Sequence, residues 1–319
     1  MQAKSFLGAA SAFIISVSIA FALFQPPAAH STPSVVVPSS PAIWKIEGAN
    51  GGRVYLFGSI HILPQGMAWR TPALEAAIAQ AQHLVFEINI DEAKNPLLMM
   101  AMTAKFGMLS KGESLHRLLA PERRAQFDQV VTSLGLNPQR LDRMTPWLAA
   151  LTISMRSAVA KSLKPGEQLK PDESVRMVAG VDDQLWAWAK VTNKERGALE
   201  TLEIQLRVFA DLTPDEQAAY LVVTLDEVTK PSQEVSHMME AWRTGDTAVL
   251  EKELNSGMDR FPSLRTAILH NRHVRWVPQI EQMLADGRTH VVVAGAAHMV
   301  GPDSVVGMLR AKGIKVEGP

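Results

Sequence analysis

The chain has 319 residues, 47% of them hydrophobic and 20% charged, and its 32 basic and 32 acidic side chains cancel to a formal net charge of zero. That balance, with no long basic run, speaks against a nucleic-acid surface, which needs clustered Lys and Arg to displace counterions. The absence of cysteine excludes disulfides, a thiolate nucleophile, Cys-ligated zinc and a cysteine-linked lipid anchor.

Lys4 precedes an almost wholly apolar run from Phe6 to Phe24. With the small-x-small pattern Ala20-Phe21-Ala22, and Ala28-Ala29 as a second cleavage candidate, residues 1–24 read as an export signal. An uncleaved anchor is the alternative, because the run is near the length that spans a bilayer. Either way the globular part is expected outside the cytoplasm, periplasmic or extracellular, with membrane anchoring through the N-terminal segment as an option. Residues 25–41, with Pro26, Pro27, Pro33, Pro38 and Pro41, read as a flexible linker, and the domain is expected to cover 42–319.

Ile43–Glu47 and Arg53–Phe57 read as strands joined through Asn50-Gly51, a pair suited to the positive φ angles of a tight hairpin. The second strand is continuously apolar from Val54 to Phe57 and runs into Gly58-Ser59-Ile60-His61. Thr71 and Pro72 open a helix that continues to Ala81. A strand follows from His83 to Ile88, with Glu87 inside its apolar stretch. Strand, helix and strand form a βαβ unit and imply parallel pairing.

From Pro96 to Leu254 the chain reads as mostly helical. Helix starts stand at Asn137-Pro138, Thr145-Pro146 and Thr213-Pro214, the last with Glu216 placed for a capping box. Lys164–Glu173 reads as a polar loop, and a short strand is expected at Gly197–Leu199, ending at Glu200. The βαβ pattern returns with a strand at Thr289–Val293, Gly295-Ala296-Ala297-His298, a helix through Val305, Val306 and Leu309, and a last strand at Ile314–Val316. The predicted fold is therefore α/β: a central, largely parallel sheet with flanking helices, an N-terminal β-hairpin and a mostly helical middle insertion.

Two strands thus end in the same layout, Gly58–His61 and Gly295–His298. In parallel α/β sheets the loops at the carboxyl ends of strands form the binding crevice. Neighbouring strands would bring the two imidazoles face to face there. Glu87, flanked by Val85, Phe86 and Ile88, is costly to bury unless it is paired, hydrogen-bonded or metal-bound. His61, His298 and Glu87 together are a sensible ligand set for a divalent ion such as Mn, Co or Zn. Asp182 reads as a helix cap, the Trp residues as core, and His83, His116, His237, His270 and His290 as incidental.

The order of motifs resembles the TraB/PrgY/GumN family, which is related to the Tiki proteins. The resemblance is carried by Gly58-Ser59-Ile60-His61, Val85-Phe86-Glu87 and Gly180-Val181-Asp182-Asp183-Gln184-Leu185. Leu199-Glu200-Thr201 with Gln205, and Gly295-Ala296-Ala297-His298-Met299-Val300-Gly301, complete it. It covers Ile43 to the end. An Arg-Asn-x-x-Trp segment of the family reads Arg272-His273-Val274-Arg275-Trp276 here, with His273 in the place of Asn. The resemblance implies a metal-dependent, peptidase-like hydrolase of the cell envelope, acting on a peptide or small polar substrate. His61, His298 and Glu87 would hold the ion, Glu87 serving as ligand or general base. Arg272 would steady developing negative charge, and Glu200 would be a further site residue. It also allows a protein that binds a peptide or a metal without turnover. No His-Glu-x-x-His helix and no Gly-x-Ser-x-Gly elbow accompanies these motifs.

Overall fold

The first two strands, β1 (Ile43–Glu47) and β2 (Arg53–Ser59), pair antiparallel as a hairpin, with Trp44 opposite Leu56 and Ile46 opposite Val54. The computed structural model describes residues 39–61, 63, 67–162, 180–229, 233–255 and 261–319. The export segment, most of the linker and the 164–173 loop read from the sequence lie outside the described residues. At the hairpin turn only Gly51 takes a positive φ (80°), so Asn50 does not adopt the conformation expected of it.

Four further strands complete one sheet: β3 (His83–Ile88), β4 (Glu195–Glu200), β5 (Thr289–Gly295) and β6 (Val316–Glu317). The strand order is β4-β3-β5-β2-β1-β6. β2, β3, β4 and β5 are mutually parallel, while β1 runs against β2 and β6. The fold is a mixed α/β one, with a six-stranded, mostly parallel sheet flanked by helices. The helices between strands supply the crossovers that parallel neighbours need.

Why these segments become central strands is visible in their burial. Val54, Leu56, Leu84, Ile88, Val291, Val292, Val293 and Ala294 are all wholly buried. Residues on both faces of these strands are covered, as continuous apolar runs in a parallel sheet require. The last strand is shorter than expected: only Val316 and Glu317 pair with β1, at Ile46 and Lys45. β4 is longer than expected, six residues rather than three.

Helix starts follow their capping chemistry. Thr71 Oγ1 accepts the Leu74 N–H at 3.2 Å ahead of the helix Pro72–Gln80. Thr213 and Glu216 form the reciprocal capping box of the helix Pro214–Val228. Among the described residues no helix is long and apolar enough to cross a membrane.

Candidate active site

The parallel directions of β2, β3, β4 and β5 put Ser59, Ile88, Glu200 and Gly295 at one rim of the sheet. β2 and β5 are direct neighbours, with Ser59 opposite Gly295. His61 leaves the rim just beyond β2, and His298 just beyond β5. Helices that run back across the sheet start at the same rim. Val181–Val191 brings Asp182 there, and Asn271–Ala285 brings Arg272 and His273.

Glu87 is buried at 2% exposure, on the β3 face it shares with buried Val85. Its Oε1 accepts from Gln205 Nε2 at 2.5 Å and from Arg272 Nη2. Its Oε2 accepts the Gly295 N–H at 3.2 Å and lies 3.7 Å from His298 Nε2. Glu200, also buried, accepts from Arg272 Nε at 2.9 Å and from Arg275 Nη2 at 3.2 Å. Arg272 Nη1 donates to His298 Nε2 at 3.1 Å. The guanidinium lies over the Trp276 ring, 4.7 Å from its centroid, and the His298 ring packs on the same indole at 4.6 Å. Arg272 is thus a buried bridge between two carboxylates, which a surface ion pair would not be.

His61 stands on the less buried side of this cluster. Its Nδ1 is 3.0 Å from Asp182 Oδ2, and Ser59 Oγ donates to Asp182 Oδ1 at 2.9 Å. Burial by itself would lower the His61 pKa, but the charge and hydrogen bond of Asp182, with Glu87 adding to them, raise it to about 9. Burial acts to raise the Asp182 pKa, but His61 and the Ser59 hydroxyl lower it on balance. An imidazolium–carboxylate pair therefore faces the rim. At His298 burial dominates, Arg272 and His273 add to it, and the pKa falls well below the usual histidine value. Burial likewise lowers His273 to about 4, against the hydrogen bond that its Nδ1 donates to the Asp303 carbonyl.

Gly295 lies at the centre. A Cβ built on it would sit 3.5 Å from His298 Cδ2, and 3.7 Å from both Glu87 Oε2 and His61 Nε2. The three residues singled out from the sequence therefore do converge. Gly180 is needed for a different reason: a Cβ there would lie 2.5 Å from the His61 carbonyl carbon. That close approach is sealed by the Val181 N–H donating to the Ile60 carbonyl at 3.1 Å.

Two readings change. Asp182 is not a cap; Gly180 is the N-cap residue of its helix, without a side-chain bond, and the Asp182 carboxylate serves His61 instead. Gln205, which the sequence marks only as part of a motif, is a buried partner of Glu87, and its Oε1 has no hydrogen-bond partner. Of the Trp residues read as core, Trp147, Trp186, Trp242 and Trp276 are buried, Trp276 backing the cluster as well, and Trp188 is only partly buried.

The donor set does not fit a divalent ion as it is arranged. Arg272 holds the His298 Nε2 lone pair, and it shares Glu87 Oε1 with Gln205. A cation placed among these donors would meet a guanidinium at contact distance in a dry site, where like charges repel strongly. Among the described residues no group of three or more His, Asp and Glu is disposed to hold a metal. A cavity of about 70 Å³ behind His273, lined by Arg265, His270, Asp303 and Ser304, is too small for a peptide.

The TraB/PrgY/gumN family model matches residues 42–318. The chain is also similar to an uncharacterized protein of Treponema pallidum (strain Nichols), 19% identical over 294 residues that cover 88% of this chain and 83% of that protein. No solved structure matches the chain.

Proposed function

From a chain that belongs to the TraB/PrgY/gumN family, we propose a hydrolase of peptide-like substrates in the cell envelope, working at the rim between His61, Glu87 and His298. The observation that carries this reading is the convergence of His61 Nε2, Glu87 Oε2 and His298 Cδ2 over Gly295. A water there would give its proton to Glu87 Oε2 as its oxygen bonds to the substrate carbonyl carbon. The His61 imidazolium would hold the resulting oxyanion and then protonate the leaving nitrogen as the C–N bond breaks. Arg272 spends its nitrogens on Glu87, Glu200 and His298, so the oxyanion role expected of it passes to His61. Arg272 and Glu200 instead position Glu87. The unpartnered Gln205 Oε1 supplies an acceptor for a water or a substrate N–H, since buried acceptors are rarely left unpaired.

The ion expected from the resemblance would be held by His61, Glu87 and His298 only if Arg272 withdrew.

The test is turnover of a mixed peptide library by the purified chain, read by mass spectrometry, with and without a chelator. Wild-type protein is expected to cleave in both conditions, and Glu87→Gln to lose at least about a hundredfold, the scale of one acid–base group. One Mn, Co or Zn per chain, lost in a His61→Ala/His298→Ala double variant together with activity, would restore the metal reading. The closed burial of Glu87, Arg272 and His298 favours a second reading, a peptide-binding protein without turnover. Peptide retained with unchanged mass would select it. Envelope location, carried by residues 1–24, is part of the same proposal and is checked by fractionating cells that express the full chain.

A further inference from the structure

His298 and His273 are linked in a chain of hydrogen bonds whose two ends each permit one polarity. At one end stands Arg272, whose guanidinium only donates. Its Nη1 faces His298 Nε2 at 3.1 Å, so that nitrogen must present a lone pair. At the other end stands the Asp303 backbone carbonyl, which only accepts. It lies 2.7 Å from His273 Nδ1, so that nitrogen must carry a proton. Between them His298 Nδ1 and His273 Nε2 are 2.8 Å apart, with the rings nearly perpendicular at 87°. Two neutral rings satisfy every contact in one way only. His298 carries its proton on Nδ1 and gives it to the bare His273 Nε2, and His273 carries its proton on Nδ1 and gives it to Asp303.

We propose that His273 is a positioning residue that fixes the tautomer and ring orientation of His298, keeping the His298 Nε2 lone pair turned to Arg272 and thereby holding Arg272 against Glu87. Which imidazole nitrogen bears the proton is set by the hydrogen bond that the other nitrogen makes. The chain from Asp303 through His273 supplies that bond. Both rings are almost wholly buried, so no bulk water replaces a lost link. The catalytic weight of the arrangement rests on the hydrolase reading above; the proton assignment does not.

The test uses the full chain labelled with 15N-histidine. Long-range 1H–15N spectra report the proton-bearing nitrogen of each ring, with His273 and His298 assigned by their loss in single variants. Both rings are expected to carry the proton on Nδ1 only, with a nitrogen–nitrogen coupling across the His298–His273 bond. A proton on Nε2 of either ring, or no coupling, overturns the proposal. His273→Leu removes the acceptor and is expected to convert the single His298 signal into a tautomer mixture. His273→Asn offers an amide oxygen and is expected to restore the wild-type pattern. On a peptide that the wild type cleaves, His273→Leu should lose tenfold or more in kcat with little change in KM, and His273→Asn should return to within threefold. If His273→Leu does not fold, the wild-type and Asn spectra still decide. Spectra as expected with no peptide cleaved leave the proton assignment standing and remove the hydrolase reading. Cleavage with the proton on Nε2 does the reverse.

Discussion

Gly295 is the residue at which the site is easiest to interrogate. An added methyl group would touch His61, Glu87 and His298 at ordinary contact distances, with no clash under 3.5 Å. Gly295→Ala is therefore expected to fold, with a melting temperature within a few degrees of wild type, while displacing whatever sits over Glu87 Oε2. Turnover lost at retained melting temperature is the expected outcome, and unchanged turnover would move the chemistry elsewhere. The histidines make a second prediction. His61 is raised to about 9 in the folded chain, so its stabilisation is complete below its unfolded value of 6.5 and is lost as pH climbs towards 9. The full effect is on the order of 3 kcal/mol at 1.36 kcal/mol per pKa unit. His298 and His273 are lowered, so what they contribute is complete above 6.5 and is lost as pH falls below it, towards about 4 for His273. Stability should peak near pH 6.5. His61→Gln should flatten the alkaline limb of a melting-temperature profile and leave the acid limb. A profile in which both limbs survive in that variant would show that His61 is not the alkaline group.

At the scale of elements, helix starts divide into those that only start helices and those that hold the site. Thr213 belongs to the first kind, and Thr213→Ala is expected to cost about 1 kcal/mol, read as a shift in urea midpoint, with activity per folded molecule unchanged. Gly180 belongs to the second. Gly180→Ala must push the His61 backbone away, so it should reduce turnover sharply and loosen the His61–Asp182 pair. A Gly180→Ala protein with wild-type turnover would contradict that geometry. This division also explains what was legible beforehand. The hairpin, the βαβ units, the Thr71 and Thr213 starts and the convergence of His61, Glu87 and His298 follow from local patterns: apolar runs, caps and Gly-x-x-His at strand ends. Asp182 was hidden because an acid in a helix's first turn looks like capping. Only the approach of His61 over Gly180 turns its carboxylate to an imidazole. The Arg272 bridge to Glu200 and Glu87 was hidden for a similar reason: its partners lie 72 and 185 residues away in the chain. Spacing says nothing about such partners, and His273 and Gln205 take their roles from the same tertiary meeting.

For the molecule as a whole, the sheet order ranks the strands by protection. β5 and β2 sit inside the sheet with β3 beside them, and their apolar residues are almost all fully buried, whereas β6 pairs through two residues at an edge. Amides of β5, β2 and β3 are expected to exchange with solvent only on global unfolding, and those of β6 far sooner, in a hydrogen-exchange time course. Slow exchange confined to the helices would contradict a sheet-centred core. The buried charges add to the same cooperativity. Breaking the Arg272 bridge, as in Arg272→Met, leaves two carboxylates without their cation and is expected to cost about 3–5 kcal/mol by denaturant titration.

The rim cluster draws its members from several distant stretches of chain, from His61 to His298. During synthesis, then, a ribosome has to deliver the chain through His298 before the cluster can assemble. If the proposed peptide hydrolysis holds, a nascent or clipped copy that lacks His298 would be chemically silent, and harmless to the cell that makes it.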